Sequence, residues 1–324
     1  MIVESPDKET CQRSIQDKSI DDLPAGDVLI RVKYSSLNYK DALSATGNRG
    51  VTQNYPHTPG VDAAGTVSES LQDTFNVGDK VLVTGYDLGM NTSGGFGQYV
   101  RVPAQWVVRL PKNLTLKESM FYGTAGFTAG LSVYEIVRGV DKEKGDILVT
   151  GASGGVGSIS VAILAKLGYS VIAVSGKPEG REFLTGLGAK EVIDREAATD
   201  GSSRPMLKAR WAGVIDTVGG DILATAIKSV HPWGIVTCCG NVASPDLPIN
   251  VFPFILRGAR LIGINSQTCP MDHRLKVWEK LAGDWKVNQE KEFYKEITLE
   301  HLEENIELIL KGGQKGRVLV NLEN

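Results

Sequence analysis

The sequence predicts an α/β fold, with a doubly wound parallel sheet that follows a β-rich region. Residues 147–150 are apolar and β-prone, glycines follow between 151 and 157, and residues 156–167 have a mostly apolar helical face. A second apolar run at 171–174 completes a β-α-β unit. Strand and helix patterns then alternate as far as residue 264, which is typical of a parallel sheet with helices on both faces.

The region before residue 116 consists of short strand patterns with turn residues between them. The strands are predicted at 28–34, 64–67, 80–84 and 98–102. One helix is predicted, at 39–45. Short strands in this arrangement suggest a small barrel.

The region after residue 116 is helical before the sheet begins. Helices are predicted at 117–122 and 124–137, and a weak helix after the polar loop 198–204. The other predicted elements are helix 179–187, strand 191–193, strand 212–216, helix 221–230, strands 234–238 and 260–264, helix 272–285, and a strand, helix and strand within 293–324. The carboxyl ends of the parallel strands should form one ligand-binding rim at Thr150-Gly151, Ser175, 216–219, Gly240-Asn241 and Asn265-Ser266.

The glycine turn predicts a dinucleotide site. Glycines between a strand and a helix let the backbone approach a pyrophosphate, and the N-terminus of the helix offers unpaired N–H groups to that anion. The residues predicted to do this are Ser153, Gly154, Gly155 and Val156. The alternative is an ordinary tight turn without a ligand.

The end of the second strand predicts which dinucleotide binds. An acidic residue there would hold the ribose 2′-hydroxyl of NAD. This strand ends instead in Ser175-Gly176-Lys177, with Arg181 one turn later, and the first acid is Glu179. A hydroxyl and two cations favour the 2′-phosphate of NADPH, although lysine and arginine also serve as ordinary solvated charges.

Composition favours a cytoplasmic globular protein. The 324 residues are 42% hydrophobic and carry a net charge of −3, which gives no indication of nucleic-acid or membrane binding. No apolar run approaches the ~20 residues that span a bilayer, and the N-terminus is too polar for a signal peptide. The four cysteines have no Cys-x-x-Cys spacing and are expected to be reduced.

Several segments resemble the medium-chain dehydrogenase/reductase superfamily. They include Ser-Leu-Asn-Tyr-Lys-Asp at 36–41, Pro-Gly-Val-Asp-Ala-Ala-Gly-Thr-Val at 59–67, Gly-Thr-Ala-Gly-Phe-Thr-Ala at 123–129 and Gly-Arg-Val-Leu-Val at 316–320. Asn-Tyr-Lys-Asp and the Ser-Gly-Lys strand end are similar to the quinone oxidoreductase-like branch, in the group of YhdH, YhfP and NADPH-dependent acrylyl-CoA reductases.

The resemblance implies a GroES-like catalytic domain at 1–120 and 290–324, and a Rossmann NADPH-binding domain at 121–289. It further implies a homodimer and several contacts for the cofactor. These contacts are Thr128, Asn265, Ser266 and Arg317, and the predicted rim adds Gly240. Arg317 would contact a cofactor phosphate or a CoA phosphate, or form an internal salt bridge.

The resemblance also predicts an enzyme without zinc. Zinc-dependent relatives use a cysteine where Asn38 falls and a His-Glu pair where Val61-Asp62 falls. An amide and a valine cannot replace a thiolate and an imidazole. His57 and Asp62 are expected to be a loop imidazole and a structural carboxylate.

Without a Lewis acid, hydride addition to an electron-poor C=C needs less help than carbonyl reduction. The predicted catalytic residues are Asn38 as an oxyanion donor, Tyr39 as a proton donor or stacking group, and Asp41 as an orienting group. They could also simply cap the turn. Tyr55 is an alternative proton donor. Phe254 and Trp233 are expected to belong to the core.

The leading functional hypothesis is an NADPH-dependent reductase of an activated alkene, with acrylyl-CoA as the best candidate. The alternatives are quinone reduction and an NADPH-binding protein with little catalysis.

Overall fold

The computed structural model describes residues 1–5, 10–176, 179–289 and 292–323. These residues form two compact units. The first contains Met1–Thr124, Ser266–Ala282 and Gln289–Asn324, and the second contains Ala125–Asn265 and Gly283–Asn288. The segment 266–282 thus groups with the first unit, although the predicted domain limits assign it to the Rossmann domain. Among the described residues, no helix is long and apolar enough to cross a membrane.

Strands predominate before residue 116, and strands and helices mostly alternate after it. In chain order they are β1 (Ile2–Glu4), β2 (Gln12–Ser14), β3 (Val28–Leu37), α1 (Tyr39–Ala45), β4 (Asp62–Ser70), β5 (Lys80–Thr84), β6 (Tyr99–Val102), β7 (Val108–Arg109), α2 (Leu116–Gly139), β8 (Ile147–Val149), α3 (Gly155–Lys166), β9 (Val171–Val174), α4 (Glu179–Gly186), β10 (Glu191–Ile193), β11 (Trp211–Asp216), α5 (Gly220–Lys228), β12 (Val230–Cys238), α6 (Phe252–Arg257), β13 (Arg260–Gly263), α7 (Met271–Ala282), β14 (Tyr294–Ile297), α8 (Leu302–Leu310) and β15 (Arg317–Asn321).

The first unit is built on a seven-stranded mixed sheet. Its strand order is β14-β15-β3-β4-β5-β7, and β6 also pairs with β3. Among the described residues these pairings form an open path rather than a closed barrel. β15 pairs antiparallel with β3, with Val318 opposite Leu37, so the C-terminal tail is part of this sheet. The buried apolar residues of these strands form one core, to which Phe96, Leu302 and Ile306 also belong.

The second unit confirms the predicted Rossmann fold. Its six strands are all parallel, in the order β10-β9-β8-β11-β12-β13. The three strands β8, β9 and β11 are buried along their whole length, as expected for a sheet covered on both faces. Asp216 lies opposite Cys238, and Cys238 opposite Gly263, so the carboxyl ends of these strands share one edge.

Two features of the helices differ from the prediction. The weak helix after residue 204 is absent, because Pro205 interrupts the segment and the N–H groups of Leu207 and Arg210 bond to carbonyls at the end of α5. The helices predicted at 117–122 and 124–137 are confirmed, because α2 consists of two helical segments separated by Gly123, whose φ of 49° is not helical. Helix α6, which the sequence analysis did not predict, is only six residues long.

Trp233 is exposed and does not belong to the core, contrary to expectation. It lies in the left-handed backbone region with φ of 64°, and 74% of its surface is exposed. Its ring lies against Gly258, where any Cβ would come within 2.7 Å of the indole. Phe254, the other aromatic residue expected in the core, is partly buried against the core of the second unit.

Candidate active site

The glycine turn in the second unit presents backbone groups to an anion. Strand β8 ends at Val149, and α3 begins at Gly155 after the N-cap Gly154. Ser153, Gly154, Gly155 and Val156 are partly exposed there. The first N–H groups of a helix have no intrahelical partner, and they carry the positive end of its dipole. The predicted phosphate-binding residues therefore lie together in a geometry that suits a pyrophosphate.

Close packing of the backbone makes this turn possible. A Cβ on Gly157 would lie 2.4 Å from the carbonyl oxygen of Gly151 and 2.6 Å from Cα of Ala152. Only glycine at this position lets the helix approach the turn so closely. Gly151 itself has φ of 55°, in the left-handed region that favours glycine.

Asp216 connects the turn to the next strand. Its carboxylate accepts hydrogen bonds from Thr150 Oγ1 at 2.7 Å and from the backbone N–H groups of Val218 and Gly219. Thr217 reinforces the link, because its Oγ1 donates to the carbonyl of Thr150 at 2.9 Å. Burial raises the pKa of Asp216, and these hydrogen bonds oppose the rise. The ends of β8 and β11 are thus held in register at the rim.

The end of β9 lies beside the first turn of α4 and beside Arg195. The Oγ of Ser175 lies 2.5 Å from where a Cβ on Gly180 would be, so it faces the first turn of α4. Arg181 follows on that turn and is exposed. Arg195, after β10, lies against Gly176, with its Nε 2.8 Å from the position of a Cβ there. Lys177 is outside the described residues.

The remaining predicted cofactor contacts lie on α2 and at the rim. Gly240 and Asn265 line a cavity beyond β12 and β13, together with Cys238 and Cys239. Thr128 is buried on α2, and Ser266 begins a segment of the first unit. Their contacts with a cofactor remain predictions.

A buried polar cluster lies in the first unit, and we call it the Asp62 cluster. Its members are Ser36, Asn38, Asp41, Asp62, Thr124 and Arg317. The carboxylate of Asp62 is fully buried and accepts four donors: Thr124 N, Thr124 Oγ1, Ser36 Oγ and Asn38 Nδ2, the last at 2.8 Å. The expectation that Asp62 is a structural carboxylate is confirmed.

The donors of Asn38 all point inward. Its Nδ2 lies within hydrogen-bond distance of Asp62 Oδ2, of Asp41 Oδ2 at 3.2 Å and of the carbonyl of Ser36 at 3.2 Å. An amide has only two such hydrogens, so this geometry leaves none for a substrate oxygen. Asn38 is also the N-cap of α1 and is 9% exposed. The predicted role as an oxyanion donor stays a prediction, and the contacts favour a positioning role.

Arg317 is buried and hydrogen-bonded within the protein. Its Nε donates to the carbonyl of Phe121 at 2.9 Å and its Nη2 to Ser36 Oγ at 2.8 Å. Its Nη1 lies 3.3 Å from Asn38 Oδ1 and from the carbonyl of Leu37. With 2% of its surface exposed, the guanidinium is not presented to a phosphate in this geometry. The contact of Arg317 with a cofactor or CoA phosphate stays a prediction, and the hydrogen bonds favour an internal role.

Asp41 and Tyr39 have contrasting surroundings on α1. Asp41 is fully buried and accepts from Val61 N at 2.7 Å and from Asn38 N at 2.8 Å, as an orienting group would. Burial, and then the charge of Asp62, raise the pKa of Asp41 to about 7, against these hydrogen bonds. Tyr39 is 37% exposed. It is therefore accessible to a substrate, whereas Asn38 and Asp41 are not. Tyr55, the alternative proton donor, donates its hydroxyl to the carbonyl of Ser44 at 2.7 Å.

Sequence reasoning missed two features of these sites. Arg195 was not considered, although it directly follows the third strand of the sheet, and the strand order 3-2-1 places that end beside the end of the second. Arg317 and Asp62 were not connected, because their residue numbers differ by more than 250 and no local pattern links them.

Two family models match the chain. The alcohol dehydrogenase GroES-like domain matches residues 24–112, and the zinc-binding dehydrogenase model matches residues 155–285. The chain is 45% identical over 306 residues to the putative quinone oxidoreductase YhfP of Bacillus subtilis, covering 94% of this chain and 93% of that protein. It belongs to the medium-chain dehydrogenase/reductase superfamily.

Within this superfamily the chain falls in the predicted group of YhfP, YhdH and AcuI. It is 40% identical to the acrylyl-CoA reductase AcuI of Ruegeria pomeroyi, over 99% of this chain and 98% of that one. The YhdH oxidoreductase of Salmonella enterica, solved in complex with NADP, superposes with a TM-score of 0.95 at 41% identity, with 99% of each chain covered. YhfP was solved with NAD bound and has a TM-score of 0.95 at 42% identity, covering 99% of this chain and 98% of that one.

The residues at the expected metal position do not fit zinc. Tetrahedral zinc needs thiolate, imidazole or carboxylate donors with free lone pairs. Asn38 is an amide held by two carboxylates, Val61 is apolar, and Asp62 already accepts four hydrogen bonds. Within the described ranges, no group of three His, Cys, Asp or Glu side chains could hold a metal ion.

Proposed function

We propose that this protein is a zinc-independent, NADPH-dependent reductase of activated alkenes, with an enoyl thioester such as acrylyl-CoA as substrate. The observation that carries the proposal is the 40% identity to an acrylyl-CoA reductase over 99% of this chain. The unsuitability of the Asp62 cluster for zinc agrees with it, because reduction of an electron-poor C=C does not require a Lewis acid.

The second unit would hold the cofactor. NADPH, when bound, supplies the hydride. The N–H groups at the start of α3 would bind its pyrophosphate, and Ser175, Lys177, Arg181 and Arg195 would surround its 2′-phosphate. Gly240, Asn265 and the buried Thr128 would position the rest of the cofactor.

The first unit would act on the substrate. Hydride adds to the β-carbon, the π electrons move toward the α-carbon and the thioester oxygen, and a proton then reaches the α-carbon. Tyr39 is the exposed hydroxyl of the Asn-Tyr-Lys-Asp segment and would deliver that proton directly or through water. Asn38 and Asp41 would fix the start of α1 through their bonds to one another and to Asp62.

Quinone reduction is the second candidate function. It is favoured by the 45% identity to the putative quinone oxidoreductase YhfP. The test is NADPH oxidation with acrylyl-CoA, crotonyl-CoA, a simple enone and a quinone. Turnover with acrylyl-CoA well above that with quinones is expected, and the reverse order would replace the proposal by quinone reduction. Tight NADPH binding without oxidation by any substrate would favour a protein with little catalysis.

The partner expected from the resemblance is a second copy of this chain. The edge strand β13 lies beside an exposed apolar surface on α6, in which Ile255 is 70% and Leu256 65% exposed. A two-fold arrangement would pair both edge strands and cover both apolar surfaces. Ile255→Asp with Leu256→Asp should convert a dimer into a monomer in sedimentation. An unchanged sedimentation coefficient would contradict this interface.

We also propose a cytoplasmic location, as the resemblance and the unpaired cysteines suggest. Fractionation of cells that express the chain tests it, with the protein expected in the fraction that contains cytoplasmic enzymes.

A further inference from the structure

The Asn-Tyr-Lys-Asp segment contains a lysine to which no role has been assigned. In the Asp62 cluster, the amide hydrogens of Asn38 and the guanidinium of Arg317 bond to protein acceptors, and Asp41 is fully buried. A substrate oxygen that gains negative charge needs an accessible donor, and Asn38, Asp41 and Arg317 are all buried. Lys40 is the neighbouring cation.

Lys40 is half-buried beside a neutral partner. Its Nζ donates one hydrogen bond, to Gln267 Oε1 at 2.8 Å. That is its only hydrogen bond within the described part of the chain, so two of the three ammonium hydrogens have no protein acceptor there. Burial lowers the pKa of Lys40, and the charge of Asp41 opposes this. Among the ion pairs of the described residues there is none between Lys40 and Asp41, whose oxygens accept from Asn38 N and Val61 N.

The backbone of Gln267, the residue that accepts from Lys40, is held in place by hydrogen bonds. The carbonyl of Gln267 accepts from Tyr86 N at 2.9 Å and from Arg274 Nη2 at 3.2 Å. Arg274 is fully buried and also donates to the carbonyls of Ser266 and Thr84. Lys40 is therefore hydrogen-bonded to a residue of an anchored loop. That residue, Gln267, directly follows Ser266, which is a predicted cofactor contact. A cation so restrained is positioned before a ligand arrives.

We propose that Lys40 hydrogen-bonds the carbonyl oxygen of the substrate and stabilises the negative charge that forms there during hydride addition. This inference rests on the proposed function and assigns to Lys40 the role first predicted for Asn38. Lys40 keeps its proton throughout. The hydride reaches the β-carbon, the electron pair moves to the enolate, and Tyr39 or water protonates the α-carbon. A charge-assisted hydrogen bond is roughly twice as strong as a neutral one, which suits an ammonium to this task.

The same ammonium would also suit a phosphate of CoA, and the two sources of negative charge can be separated. Acrylyl-CoA carries phosphates, whereas the acrylyl thioester of N-acetylcysteamine carries none. A donor to the thioester oxygen acts on both substrates, and a phosphate ligand acts on the first alone.

The experiment compares Lys40→Met, Lys40→Arg and Gln267→Leu on both thioesters. The matched control is Lys33→Met, because Lys33 is also partly buried and pairs with Glu323. Lys40→Met should lower kcat roughly 100-fold on both substrates, the scale of losing one oxyanion donor. Lys40→Arg should recover most of that loss, because it restores the charge. Gln267→Leu should lower kcat less than tenfold, because it removes the hydrogen bond to Lys40 but leaves the ammonium group in place. Lys33→Met should match the parent.

Binding measurements complete the test. The Kd of NADPH, measured by fluorescence, should stay within about twofold in all variants, and propionyl-CoA should bind Lys40→Met several-fold more weakly. Full activity of Lys40→Met overturns the inference. A loss of kcat on acrylyl-CoA alone also overturns it, and so does an equal loss of kcat in Lys40→Met and Gln267→Leu. If Lys40→Met does not fold, the kcat values of Lys40→Arg and Lys40→Gln on the two thioesters are compared in its place. A parent protein that reduces none of the alkenes overturns the proposed function itself.

Discussion

At the glycine turn of the second unit the exposed polar groups belong to the backbone, whereas in the Asp62 cluster of the first unit buried polar side chains bond to one another. Ser153 to Val156 are partly exposed, and the first N–H groups of α3 have no intrahelical partner. Asp62 and Arg317 are buried at 0% and 2% exposure. The first arrangement leaves backbone groups open to a ligand, and the second holds neighbouring elements in place.

This difference predicts which changes affect stability and which affect binding. Changes in the Asp62 cluster should unfold the protein more easily. Changes around the end of β9 should alter cofactor affinity without affecting stability.

The largest effect is expected for Arg317→Met. The change leaves the buried Asp62 without its neighbouring cation and breaks bonds to Phe121 and Ser36. Breaking a buried ionic arrangement typically costs about 3–5 kcal/mol. Urea denaturation should show this loss, and Arg31→Met on the exposed side of β3 is the control. A loss in NADPH affinity at unchanged stability would instead restore Arg317 as a phosphate ligand.

The next effect concerns the choice of cofactor. We expect NADPH to be preferred over NADH by roughly 100-fold, or about 2.7 kcal/mol. Replacing Lys177 and Arg181 by Ala should remove most of this preference and leave NADH binding nearly unchanged, and Arg195→Ala should remove part of it. Fluorescence titration measures both affinities, with Arg204→Ala as the control. Equal losses of affinity for both cofactors would refute the assignment of these cations to the 2′-phosphate. The comparison with NADH matters because the related YhfP was solved with NAD bound.

A smaller effect separates Asn38 from Tyr39. The sequence alone predicts that Asn38→Ala lowers turnover by ~10²-fold. It also predicts that the free energy of unfolding of this variant stays within about 1 kcal/mol of the parent value. The contacts predict that Asn38→Ala lowers the free energy of unfolding by about 1–3 kcal/mol, because the buried carboxylates of Asp41 and Asp62 each lose a donor. Tyr39→Phe should lower turnover roughly tenfold or more and leave stability unchanged. Thermal unfolding and initial rates measure both. An Asn38→Ala protein with parental stability and lost turnover would return the oxyanion role to Asn38.

The smallest effect is the pH dependence of Asp41. Its pKa in the folded protein, about 7, lies above the ordinary value of 3.8, so the folded state binds the proton more tightly. The stability that this group contributes is therefore present at low pH and is lost as the pH rises through 7. The free energy of unfolding of Asp41→Asn minus that of the parent should therefore rise by about 1 kcal/mol from pH 6 to pH 7, because only the parent loses stability in this range. A difference that does not change with pH would show that Asp41 is already ionised at pH 6.

The comparison also explains what could be predicted from the sequence. The β-α-β unit at 147–174 depends on local signals, namely two apolar runs and the glycines between them, so its elements were predicted nearly to the residue. The Asp62 cluster depends on the pairing of β15 with β3, which no local pattern encodes. Trp233 was assigned to the core by residue type, but its left-handed backbone conformation directs it outward.

Gly123 has a consequence for the design of a metal site in this protein. A Cβ at this kink would lie 2.4 Å from Asp62 Oδ2 and 2.5 Å from Ser36 Oγ, so the carboxylate occupies the space of any side chain there. Substituting cysteine at 38 and histidine at 61 would therefore not by itself create a zinc site, because Asp62 would still accept hydrogen bonds from Thr124 and Ser36. An engineered site would also have to replace these donors and keep a glycine at position 123.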